Sequence, residues 1–123
     1  MTIGHYKNLI VWQKSIDLVD QVYLLTRQFP KNEVYGLASQ MQRSAVAIPS
    51  NIAEGQSRNR LKEYLQFLGV AYGSVAELDT QLIIAKRQYP EFNYVRGEEL
   101  LLEILKMLSV IITKLQTSAP SKT

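Results

Sequence analysis

The sequence predicts an all-α protein, an antiparallel up-down-up-down four-helix bundle in one domain over residues 1–123. Three observations carry that expectation. Apolar residues recur at spacings of three and four along four stretches, the period of one helix face. Segments containing Pro, Gly, Ser and Asn separate the stretches, and such residues punctuate regular structure. No stretch alternates apolar and polar residues with period two, and no hairpin turn signature occurs. The 123 residues are 46% hydrophobic and 20% charged, within the range of a globular domain.

The first helix is expected from about Asn8 to Gln28, with Trp12, Ile16, Val19, Tyr23 and Thr26 facing inward. Phe29-Pro30-Lys31-Asn32 ends it, because proline cannot continue the hydrogen-bond ladder. The second helix begins near Glu33 or Val34 and buries Leu37, Met41, Ala45, Ile48 and Ile52. Pro49 lies inside this stripe, where the missing N–H predicts a kink. Gly55-Gln56-Ser57 marks the stop, with Gly55 near the C-cap.

The third helix follows an N-cap within Ser57 to Asn59 and carries Leu61, Leu68, Val75, Leu78, Leu82 and Ala85 inward, ending at Tyr89-Pro90. The fourth starts between Tyr94 and Glu98, with Glu98 and Glu99 against the positive end of the helix dipole. It runs to about Gln116. Residues 117–123 read as a frayed polar tail, so order is expected over about 6–116.

Helix four is richer in apolar residues than a peripheral helix requires. Between Leu100 and Ile112 only Glu103, Lys106 and Ser109 are polar, and they share one arc of the helix. On helix one, Leu9, Ile10, Val11, Leu18, Leu24 and Leu25 lie beside or away from the expected stripe. Large apolar patches seldom face water. A homo-oligomer is therefore expected, with Leu101, Leu105, Leu108 and Ile112 at the interface.

The function classes narrow by exclusion. Without cysteine there is no disulfide and no thiolate nucleophile or ligand. The one histidine, His5, has no helical partner, and no Glu-x-x-His pair of a di-metal bundle occurs. The glycines are isolated, so no phosphate loop forms. No catalysis, metal or cofactor is expected. Residues 1–7 lack the pattern of a signal peptide. The apolar run of helix four is shorter than the ~20 residues that span a bilayer. A cytoplasmic protein without a membrane partner is expected.

The formal net charge is +3. Its densest basic cluster is Arg58, Arg60 and Lys62, with Lys86 and Arg87 as a second pair. In a ring these clusters would repeat and sum into a belt able to hold phosphates of RNA or DNA. The alternative is a protein-protein scaffold with no nucleic-acid role. A polar network of Arg43, Asn51, Glu54 and Glu77 is expected to support the Pro49 turn.

The runs Arg43-Ser44, Ile48-Pro49-Ser50-Asn51-Ile52-Ala53-Glu54-Gly55 and Ala71-Tyr72-Gly73-Ser74-Val75-Ala76-Glu77-Leu78 resemble the four-helix bundle protein family, also called the 23S rRNA intervening-sequence protein family. Tyr6-Lys7-Asn8-Leu9 and Val11-Trp12 are similar to its opening. The resemblance implies a bacterial four-helix bundle assembled into a ring of five. It implies a gene within an intervening sequence of large-subunit ribosomal RNA or elsewhere in the genome, and no catalytic residues. A similar fold, the accessory protein of diversity-generating retroelements, is basic and binds nucleic acid and a reverse transcriptase. By analogy the partner is RNA, DNA or a nucleic-acid-bound protein.

Overall fold

The computed structural model describes residues 5–118. Four α-helices follow one another: α1 (Ile10–Thr26), α2 (Leu37–Gln56), α3 (Leu61–Gln88) and α4 (Val95–Ser118). Short 3-10 turns at His5–Asn8 and Lys31–Glu33 precede α1 and α2. No strand occurs among the described residues. Each helix packs on its neighbour in the chain, and α4 returns onto α1. The arrangement is the expected up-down bundle.

The core of α1 is shifted by one residue from the expected stripe. Val11, Ser15, Leu18, Val22 and Leu25 are buried, while Ile16 is exposed and Trp12, Val19 and Tyr23 are half-buried. The reason is polar. Ser15 occupies a core position because its hydroxyl donates to the Trp12 carbonyl at 2.7 Å. Thr26 does the same toward Val22 at 2.8 Å. A serine in the core row hides that row from a hydrophobicity count. Val11, Leu18 and Leu25 are thus core residues rather than surplus.

Most of the expected stripes of α2 and α3 is buried, with Leu37 and Leu61 half-buried, and α2 starts at Leu37 rather than near Glu33 or Val34. Met41, Ala45, Ile48 and Ile52 meet Leu68, Ala71, Val75, Leu78, Leu82 and Ala85, all buried. Pro49 lies within an unbroken α2. It leaves the Ala45 carbonyl without its N–H partner, and Asn51 Nδ2 donates to the nearby Ala47 carbonyl at 2.7 Å. α3 begins at Arg60 with no side-chain cap, not at Ser57 or Asn59.

α2 ends at Gln56 with its C-cap at Ser57, within the expected Gly55-Gln56-Ser57 stop and two residues past Gly55. The role of Gly55 is proximity to α3. A Cβ here would lie 2.7 Å from Phe67 Cβ and 3.2 Å from the Tyr64 carbonyl oxygen. Only glycine fits at this crossing.

α4 runs through Ser118, so Thr117 and Ser118 are helical, each hydroxyl donating to the Lys114 carbonyl. The rest of the expected frayed tail, residues 119–123, lies outside the described residues. α4 is tied to α1 by the Lys14–Glu103 ion pair. The Lys14 ammonium holds the Glu103 carboxyl below its usual range.

Aromatic residues close one end of the bundle. Phe29 packs on Tyr89 and Phe92, with ring centroids 5.2 and 5.8 Å away. Tyr94 is buried and donates to the carbonyls of Ala85 (3.0 Å) and Tyr89 (2.9 Å) at the end of α3. Burial, with smaller contributions from Glu91 and Tyr89, pushes the Tyr94 phenol up to about 12.

Two measurements check this packing. Gly55→Ala should lower stability by about 1–3 kcal/mol, the cost of overpacking. Gly73→Ala, where a Cβ meets nothing within 4 Å, should raise it by about 0.5–1 kcal/mol through helix propensity. Urea midpoints of the two variants should therefore move in opposite directions. The second measurement concerns pH. Between about pH 10 and 12 the folded chain keeps the Tyr94 proton that the unfolded chain loses, so stability falls as pH rises. Tyr94→Phe should be less stable at neutral pH and show a shallower alkaline decline.

Candidate interaction surface

The basic residues divide between the two ends of α3. Arg58 and Arg60 sit in the α2–α3 turn and Lys62 in the first turn of α3, all exposed. Arg58 is partly neutralised by Glu54, 3.3 Å away, and its guanidinium lies 5.2 Å from the centre of the Phe67 ring. Arg60 and Lys62 make no ion pair among the described residues. Lys86 and Arg87 lie near the far end of the same helix. At 1.5 Å per residue the two clusters stand about 40 Å apart. Lys86 also pairs with Glu98 at 3.3 Å. A single chain does not bring the five cations together.

The expected network around Pro49 separates into short-range pieces. Asn51 serves its own helix, Glu54 pairs with Arg58, and Glu77 accepts a bond from the buried Ser44 at 3.0 Å, joining α3 to α2. Arg43 joins none of these bonds and is exposed beside Tyr23 and Val46.

The proposed interface residues also divide. Leu108 is buried inside the bundle, and Leu101, though also buried, lines the α3–α4 groove. The apolar arc of α4 is wide, and its centre is Leu100, Leu101, Ile104 and Leu108. Leu105 and Ile112 are half-buried. They line a groove between α3 and α4, in two adjoining parts of about 320 and 290 Å³. Tyr72, Val75, Ala76, Leu101 and Leu102 add to its apolar lining, and Asp79 and Glu98 stand on its rim. A second apolar groove lies between the start of α1 and α4, lined by Leu9, Ile10, Met107 and Val110.

The sequence reading missed the most exposed aromatic residue. Tyr35 is 97% exposed, and Val34 beside it is 54% exposed. The sequence places both at the start of the second helix, whereas α2 begins at Leu37 and leaves them in the α1–α2 connection.

Among the described residues no group of three or more His, Asp or Glu is placed to hold a metal ion. No described helix is long and apolar enough to cross a membrane.

This geometry defines a small helical bundle with apolar grooves and two separated basic clusters. The family model for the 23S rRNA-intervening sequence protein matches residues 7–110. The chain belongs to that family. A crystal structure of a protein of unknown function from the S23 ribosomal protein family of Bacteroides thetaiotaomicron has a similar fold. Its TM-score is 0.73 at 21% identity, with 84% of this chain and 98% of that chain covered. No curated protein matches the chain.

Proposed function

We propose that the chain is a non-enzymatic, cytoplasmic subunit of a homo-oligomer that presents a basic surface to RNA or a ribonucleoprotein. The apolar α3–α4 groove carries the self-association half of this reading. Tyr72 and Leu102 remain 39% and 52% exposed there, beside the half-buried Leu105 and Ile112. A second copy would remove this surface from water at roughly 25 cal/mol per Å². The family resemblance supports five copies. Leu101, Leu105 and Ile112 line the interface groove in this reading, whereas Leu108 supports them from the core.

The RNA half rests on Arg58, Arg60 and Lys62, with Arg60 and Lys62 exposed, and on the family's link to 23S rRNA. One subunit supplies few cations. Repetition around a closed assembly multiplies them into a surface that follows a phosphate backbone. Lys86 and Arg87 would form a separate, weaker zone, since Glu98 offsets Lys86.

Affinity for single-stranded RNA should fall with salt, with log K declining by about 0.7 per phosphate contact. Changing Arg58, Arg60 and Lys62 to Ala should reduce that slope by about 2 for each subunit engaged. Fluorescence anisotropy over several salt concentrations reads both values. Equal, salt-insensitive curves for wild type and variant would remove the RNA reading and favour a scaffold for another protein.

A further inference from the structure

The α1–α2 connection holds an exposed Val-Tyr pair on a backbone pinned from both sides. Within the turn, the N–H groups of Glu33, Val34 and Gly36 donate to the carbonyls of Pro30, Lys31 and Glu33 at 2.9, 3.2 and 3.0 Å. Glu33 Oε1 accepts from the Leu37 N–H at 3.3 Å, tying the turn to the start of α2. Glu33 Oε2 accepts from the Tyr89 hydroxyl at 2.6 Å, tying it to the end of α3. Tyr35 is therefore displayed by a braced turn. A tyrosine can bury ~150–250 Å², and this one buries almost nothing within its own chain.

The α3–α4 groove is the complementary feature. Its lining is Tyr72, Val75, Leu101, Leu102 and Leu105, and its rim carries the carboxylates of Asp79 and Glu98. The Val-Tyr turn carries Lys31 at its base, exposed and without an ion pair among the described residues. Asp79 is likewise unpaired among them. Glu98 is already paired with Lys86, so the knob's one unpaired cation, Lys31, matches an apolar groove with one unpaired carboxylate, Asp79, on its rim.

Tyr35 is 97% exposed, so it does not occupy the groove of its own chain. The knob, in the α1–α2 connection, and the groove, between α3 and α4, are different patches. A contact between different patches is heterologous and closes into a ring or runs on as a filament.

We propose that Val34 and Tyr35 of one subunit insert into the α3–α4 groove of a second copy of this chain, with Lys31 facing Asp79 across the contact. The proposal rests on the self-association reading above and specifies its interface. Aromatic anchors in apolar pockets dominate the energetics of such contacts.

The test uses two full-length variants, the double change Val34→Ser with Tyr35→Ser, and Leu102→Glu. All three positions are solvent-exposed, so each variant should keep the wild-type helical circular dichroism. By sedimentation velocity each should be a monomer alone. The first retains a groove and the second retains a knob, so an equimolar mixture should form a dimer and stop there. Persistence of the wild-type mass in either variant would overturn the proposal while leaving self-association intact. Two monomers that do not combine would also overturn it. A wild-type chain that is itself monomeric would remove the self-association reading and this interface together.

Discussion

The close contact of α2 with α3 is the constraint on which the bundle depends. It is the most extensive helix-helix contact in the structure. Both helices bury small residues, Ala38, Ser44 and Ala45 on α2 and Ala71, Ser74 and Ala85 on α3. Gly55 completes the set where the two backbones converge, leaving no room for a Cβ against Phe67 and Tyr64. The Ser44–Glu77 hydrogen bond adds a directional tie between the same two helices. α1 and α4 then cover the open side of this pair with Val11, Leu18, Val22, Leu100, Ile104 and Leu108.

One end of the bundle is organised by a single carboxylate. Glu33 serves both the first N–H of α2 and the hydroxyl of Tyr89 beyond α3, so two interhelical connections share one acceptor. The hydrogen bond to Glu33 is the main cause that raises the Tyr89 phenol above its ordinary range. Tyr94 and the Phe29–Tyr89–Phe92 cluster fill the space beneath. This connection between helices is hydrogen-bonded on both sides. That bracing adjoins the exposed Val34–Tyr35 pair.

Much of the fold was legible because helical periodicity is strong in α2 and α3. Their stripes hold with no shift, and Tyr89-Pro90 ends α3 as expected. The reading slipped wherever a polar residue took a core position or an apolar residue took a surface one. Ser15 displaced the stripe of α1 by one residue. The broad apolar arc of α4 conceals which leucines are central, and Leu108, expected at an interface, is fully buried in the core. Gly55 shows a different limit. Its place near the C-cap of α2 is legible in the sequence, whereas the need for glycine there comes from Tyr64 and Phe67 of α3. The basic clusters are visible in the sequence, and their separation along α3 follows from the helix length. Tyr35 escaped notice because exposure in a connection is a tertiary property.

The central claim is that one bundle is a subunit. Exposed Tyr35, Tyr72 and Leu102 have no role inside the monomer, while its core is already complete without them. The native mass of the wild-type chain, by light scattering coupled to size-exclusion chromatography at micromolar concentration, tests this most directly. The account predicts a discrete multiple of 14.0 kDa, and five copies if the family resemblance extends to assembly. A single species of 14.0 kDa would contradict it.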